Sequence, residues 1–174
     1  MKPLDSNDLA LCRMQGRFFE ASADVAACSS AVFVRRFMNS QLACRMDSRA
    51  FLFESSTLDQ MFEELDQEFG VSHYGTTRFA SDELYWMGYL YRYWVCAFGM
   101  RSAEVFKLVG GRELRELFAP YHSFGPEQAI WRIAEAKGIN LEGDANELAV
   151  DALRQIRSKH PRCEYHVVEL EGKR

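Results

Sequence analysis

The residues that could do chemistry are few, and their spacing can be tested against known requirements. The five cysteines are Cys12, Cys28, Cys44, Cys96 and Cys163, an odd number, widely spaced and without a CxxC pair. With no secretory leader in view, they read as reduced thiols of a cytoplasmic protein. Cys12, Cys28, Cys44 and Cys96 lie in apolar helical surroundings, where a free cysteine behaves as a small hydrophobe. In the tail, His160, Cys163 and His166 recur at three-residue intervals. Zinc needs about four converging ligands. An extended tail would turn Cys163 and His166 to opposite faces and offers no fourth ligand nearby. No metal and no other cofactor is expected.

Catalysis by a nucleophile needs a base and an orienting group in contact with it. Ser72 precedes His73 and His122 precedes Ser123, but adjacency along the chain does not make such a pair. There is no GxSxG elbow and no HExxH helix. Gly110-Gly111 separates two short helical patterns and lacks the Lys-Ser or Lys-Thr that follows a phosphate-cradling loop. The carboxylates lie mostly on helix faces, where solvation accounts for them. The chain is therefore not expected to be an enzyme, and an enzyme with an unrecognised site is the least favoured alternative.

The elements that would position these groups are predominantly helical. The chain has 174 residues, 48% hydrophobic and 26% charged. That length suits one domain burying roughly 70% of its unfolded surface, without help from a metal or disulfide. The expected architecture is a mainly α, single-domain multi-helix bundle over 1–174. It has short helix-turn-helix segments and at most a minor extended segment. Residues 1–28 form a poorly defined N-terminal helix with a stripe of Leu9, Leu11, Met14, Phe18 and Phe19, interrupted by Gly16. Ser29 and Ser30 cap a helix from Ala31 to Met46, and Phe51 to Phe53 reads as briefly extended. Ser56 caps a helix in which Leu58, Met61, Phe62, Leu65 and Phe69 make one apolar stripe ending at Gly70. Its other face carries Glu63, Glu64, Asp66, Gln67 and Glu68. That face reads first as solvated and second as a docking face for a basic partner.

Ser81 caps the most aromatic helix, which runs to Phe98 and stops at Gly99. Apolar or aromatic on nearly every side, it should be the central packing element. The run from Leu84 to Met100 is not read as membrane-spanning, because Arg92 lies in its middle and would cost about 2.5–3.5 kcal/mol there. Ser102 caps a short helix broken at Gly110-Gly111. The next holds Leu114, Leu117 and Phe118 and stops before Pro120. Gly125-Pro126 opens a helix with Ala129, Ile130, Ile133 and Ala134, ending at Gly138. Residues 138–159 are read as a turn and C-terminal helix, and 160–174 as a tail with a possible strand at Tyr165 to Val168.

The paired short helices suggest a helix-turn-helix, so a DNA-binding transcriptional regulator is the main alternative function. The second helix sets Arg112 and Arg115 against Glu113 and Glu116, and the whole chain carries −4. Phosphate neutralisation supplies most nucleic-acid affinity, so a nucleic-acid partner is not favoured.

A longer pattern points elsewhere. Leu90-Tyr-Arg-Tyr-Trp-Val-Cys-Ala-Phe-Gly-Met-Arg-Ser-Ala-Glu-Val-Phe-Lys-Leu-Val109 and Phe118-Ala-Pro-Tyr-His-Ser-Phe-Gly-Pro-Glu-Gln-Ala-Ile-Trp-Arg-Ile133 together resemble small bacterial antitoxin-like families. Their members are encoded beside toxins of ADP-ribosyltransferase type. Ser30-Ala-Val-Phe-Val-Arg-Arg-Phe-Met38 and Phe51-Leu-Phe-Glu-Ser-Ser56 extend the likeness over roughly residues 29–137. The resemblance implies an antitoxin that neutralises a cognate toxin by covering its active cleft, with no catalytic residues of its own. Aromatic and arginine anchors dominate such interfaces. The implied partner-binding residues are Tyr89, Arg92 and Tyr93 on the aromatic helix, and Tyr121 and His122 at the turn. For each, the competing expectation is core packing or a satisfied polar group, and His122 is expected to fix its turn by hydrogen bonding.

Overall fold

A computed structural model describes residues 1–141. The proposed C-terminal helix, the strand at Tyr165 to Val168 and the His160, Cys163, His166 set lie outside the described residues. What is described is a single mainly helical domain, with no strand among the described residues.

The first helix is longer than the stripe suggested. α1 spans Ser6–Val25 and starts with a capping box: the Asp5 carboxylate accepts from the Asn7 and Asp8 amides, and Asp8 accepts from the Asp5 amide. Gly16 does not interrupt it. A β-carbon there would sit 3.0 Å from the Tyr85 ring, so this glycine lets another helix come close. That helix is α5, Ser81–Phe98. Opposite Gly16, Gly88 of α5 packs so tightly that an added β-carbon would fall 2.6 Å from the Gln15 carbonyl oxygen. The Lys2 amide donates to the Ala97 carbonyl at the other end of the crossing, at 2.7 Å. The two helices therefore run antiparallel, backbone nearly on backbone.

The predicted helix from Ala31 to Met46 is two helices. α2 is Ser30–Met38 and α3 is Gln41–Asp47. Ser40 makes the break. Its hydroxyl accepts from the Ala43 amide at 3.1 Å as the α3 cap and donates to the Phe37 carbonyl at 2.8 Å. Serine competes with the helix ladder in this way, and the two halves keep one apolar face. The segment Ala50–Phe53 is a 3-10 turn, not extended. α4, Leu58–Phe69, is capped by Thr57 and not by Ser56, in a reciprocal box with Gln60.

After α5, α6 covers Ser102–Leu108, α7 Gly111–Glu116, α8 Phe118–Tyr121 and α9 Pro126–Lys137. Ser81 and Ser102 are first helical residues, not caps. The preceding Ala80 and Arg101 amides donate to Glu83 and Glu104 at 3.0 and 2.9 Å. Pro120 lies inside α8 and does not end a helix before it. In a four-residue helix the first-turn amides lack intrahelical acceptors anyway, so the missing N–H costs little. Gly125-Pro126 opens α9, and Gly138 closes it in the left-handed region at φ +65°, both as expected.

The core is aromatic. Phe18 and Phe19 of α1 pack on Phe33 and Phe37 of α2 with ring centroids 5.2–5.4 Å apart, and Phe62 of α4 closes the cluster 4.4 Å from Phe18. α5 runs through the middle and touches α1, α6, α7, α8 and α9. Its Tyr91 hydroxyl donates to the Val109 carbonyl at 2.7 Å and ties the end of α6 to the core. The acidic face of α4 is partly engaged within the fold. Glu64 holds Arg45 at 2.5 Å, Glu68 accepts from the Gln41 amide at 2.9 Å, and Asp66 lies 3.9 Å from Arg36.

Candidate functional site

α5 carries three of the five residues that the resemblance implied, and the structure divides them. Tyr89 and Tyr93 are half-buried and belong to a ridge. Tyr85, Tyr89 and Tyr93 recur every four residues, which places their rings one above the next on a helix. The centroids are 6.3 and 6.4 Å apart with planes 28° and 26° from parallel. Their hydroxyls make no hydrogen bond to another described residue. Burial raises the pKa of Tyr89 and Tyr93 above the ordinary 10.0, so both remain neutral donors at physiological pH. Charge flanks the ridge: Arg13 of α1 acts on Tyr89, and Glu127 of α9 acts on Tyr93.

Arg92 is different. It is fully buried, at 0% exposure, and this corrects the expectation that it is a surface anchor. Its guanidinium donates from Nε to Gln15 Oε1 at 2.8 Å and from its terminal nitrogens to Asp47 at 2.6 Å and Ser102 Oγ at 3.0 Å. Ser102 in turn donates its hydroxyl and its amide to the two Asp47 oxygens, at 2.6 and 2.8 Å. The network links α1, α3, α5 and α6. A buried charge is tolerated when it is paired and fully hydrogen-bonded. One signal in the sequence pointed this way: an arginine in the middle of an apolar helix must find a carboxylate. Nothing local singled out Asp47, Gln15 or Ser102 as its partners.

Tyr121 and His122 sit on α8 and the turn after it. Tyr121 is half-buried against Phe124, with centroids 6.1 Å apart. His122 is exposed, stacks on Phe118 at 4.7 Å, and places Nδ1 3.1 and 3.2 Å from the Phe118 and Ala119 carbonyls. With its proton on Nδ1 it closes the turn. Phe118 meets α5 edge-on at Trp86, 5.6 Å away. No ring contact or hydrogen bond joins Tyr121 or His122 to Tyr89 or Tyr93. The five residues thus fall into a ridge, a buried brace and a separate turn.

A cavity of about 440 Å³ opens beside the brace, lined among others by Lys2, Asp8, Asp47, Arg49, Cys96 and Arg101. Its carboxylates are already held: Asp8 by Arg49 at 2.5 Å and Asp47 by Arg92 and Ser102. The Cys96 thiol is lowered from 9.0. The adjacent Cys12 thiol and the Arg92 and Arg49 charges favour its thiolate, against burial and Asp8. Cys12 is shifted strongly upward by contact with Cys96 and by burial. Among the described residues no histidine lines the cavity. No cluster of three His, Cys, Asp or Glu side chains suited to a metal occurs among the described residues. No described helix is long and apolar enough to cross a membrane.

No protein-family model, no curated protein and no solved structure matches the chain.

Proposed function

We propose that the protein is an antitoxin that neutralises a cognate toxin, one of ADP-ribosyltransferase type, by direct binding and occlusion of its active cleft. The observation that carries the reading is the ridge of Tyr85, Tyr89 and Tyr93. Its rings are held by stacking and by the tight α1–α5 crossing, and its hydroxyls make no hydrogen bond to another described residue. Tyrosine supplies large, stiff contact area at low entropic cost, which is why it is enriched in interface cores. A rigid helix presents such anchors already ordered, so less freedom is lost on association. The likeness of residues 29–137 to antitoxin-like sequences gives the partner its class. The buried brace at Arg92 fits a supporting role, fixing the helix that bears the ridge.

The test is co-expression of the full chain with the product of the adjacent gene. Co-purification, together with growth restored relative to that product alone, supports the proposal. Failure to co-purify, or an adjacent product without toxicity, overturns it.

A further inference from the structure

The α1–α5 crossing carries a pair of thiols that neither the ridge nor the brace uses. We propose that Cys12 and Cys96 form a redox site, which a small hydroperoxide entering the cavity of about 440 Å³ converts to a reversible disulfide between α1 and α5.

The register of the two helices brings the pair together. Gln15 of α1 meets Arg92 of α5 at 2.8 Å. The helices run antiparallel, so one turn back along α1 and one turn on along α5 reach the next facing pair. Those residues are Cys12 and Cys96, and their side chains are in contact. The pair lies between two points that hold the backbones together. On one side, a β-carbon added at Gly88 would fall 2.6 Å from the Gln15 carbonyl oxygen. On the other, the Lys2 amide bonds the Ala97 carbonyl at 2.7 Å. Helices usually pack with their axes about 8–10 Å apart, whereas a disulfide needs α-carbons about 4.4–6.8 Å apart. The glycine crossing narrows the first spacing toward the second.

The two thiols differ as an attacking and a resolving cysteine must. Cys96 is half-buried and lines the cavity. Contact with Cys12 and the Arg92 and Arg49 charges favour its thiolate, against burial and Asp8. Cys12 is fully buried, at 0% exposure, and contact with Cys96 and burial hold it as the neutral thiol. An oxidant therefore reaches Cys96 first, with Cys12 behind it.

The Cys96 thiolate sulfur attacks the terminal oxygen of the hydroperoxide. The O–O bond breaks and an S–O bond forms, giving a sulfenic acid. The departing alkoxide, or hydroxide from hydrogen peroxide, takes up the proton that Cys96 had released. The Cys12 sulfur then attacks the Cys96 sulfur. The S–S bond forms, the S–O bond breaks, and hydroxide leaves with the Cys12 proton as water. The two thiols lose two electrons and the hydroperoxide gains them, ending as an alcohol and water. Cys96 follows Tyr93 by three residues and so continues the stripe of Tyr85, Tyr89 and Tyr93. The bond would pin α1 to α5 at the end of that stripe.

The test is a cysteine map of the full chain under hydrogen peroxide. Native protein is oxidised at low concentration, unfolded, blocked with N-ethylmaleimide and digested without reduction. Mass spectrometry should find the linked peptide pair Cys12–Cys96 as the main product, lighter by two hydrogens than the free thiols. Alkylation of both cysteines should fall equally and return in dithiothreitol. Protein oxidised in urea should instead give a mixture of linkages. Cys96→Ser should leave Cys12 alkylable through the same treatment, and Cys12→Ala should stop at a Cys96 sulfenic acid that dimedone traps. A native map in which Cys96 oxidises while Cys12 stays alkylable, in which the linkages match the urea mixture, or in which both thiols survive the peroxide would overturn the site, whether or not either variant folds. Loss of Cys12 at the wild-type rate in folded Cys96→Ser would do the same.

Discussion

Alanine at Gly88 would test the crossing on which the whole arrangement rests. Away from any neighbour, Gly→Ala inside a helix stabilises it by about 1 kcal/mol, since alanine loses less backbone freedom. Here the new β-carbon would begin 2.6 Å from the Gln15 carbonyl oxygen and 2.9 Å from Cγ of the Phe19 ring. Ordinary contact starts near 3.4 Å, so α1 and α5 must part by about 0.8 Å. The obstacle is backbone and the root of a packed ring, and neither can swing aside. Overpacking of this kind costs about 1–3 kcal/mol. The upper end applies, because Gln15 also receives Arg92 Nε at 2.8 Å and would be dragged from it. Setting about 3 kcal/mol against the propensity gain of about 1 leaves a net loss of about 2 kcal/mol, or a fall in Tm of about 4–8 °C for a chain of this size. Gly16→Ala is the comparison. Its nearest neighbours are the Tyr85 ring at 3.0 Å and the Tyr85 carbonyl oxygen at 3.2 Å, an overlap of about 0.4 Å at most against about 0.8 Å at Gly88, so the propensity gain offsets more of the strain and the loss is smaller. Differential scanning calorimetry of both variants gives the answer. A Gly88→Ala protein as stable as wild type, or a larger loss at Gly16 than at Gly88, would refute the close-crossing argument.

Three further outcomes follow from the same structure. Arg92→Met should destabilise by about 3–5 kcal/mol, because it strands the Asp47 carboxylate beside the core, and urea denaturation should show it; a loss under about 1 kcal/mol would mean the brace is solvated. Thr57→Ala should cost about 1 kcal/mol by removing the α4 capping box, measured the same way, whereas Ser56→Ala should cost nothing. Iodoacetamide labelling followed by peptide mass spectrometry should modify exposed Cys44 and half-buried Cys96 in the native protein and spare buried Cys12 and Cys28. Cys96 should label half-maximally below the thiol value of 9.0, since its neighbours favour the thiolate; labelling of Cys12 before Cys96 would contradict this.

What could be read from the residues beforehand was periodicity and punctuation. The apolar stripe of α4, the aromatic run of α5, its end at Gly99 and the opening of α9 at Gly125-Pro126 were all legible, because each is decided by neighbours within a turn or two. The misreadings share one cause, which is that distant partners decide them. Gly16 looked like a break because its reason, Tyr85, lies far along the chain. Ser81 and Ser102 looked like caps because the reciprocal bonds of Glu83 and Glu104 make equally good helix starts, and Ser102 is spent on Asp47. Arg92 looked like an interface anchor because its residue type and aromatic setting fit one. Its burial depends on Gln15, Asp47 and Ser102, contributed by three other helices.

The central claim is that a stiff tyrosine ridge grips a partner while the brace beneath it only supports. Calorimetric titration of the adjacent gene's product, in a catalytically silenced form, into wild type and Tyr93→Asp measures this directly, with circular dichroism reporting the fold. The account predicts that Tyr93→Asp keeps the helical spectrum and loses at least about tenfold in affinity, as expected for an interface anchor. A folded Tyr93→Asp protein that binds as tightly as wild type would contradict it.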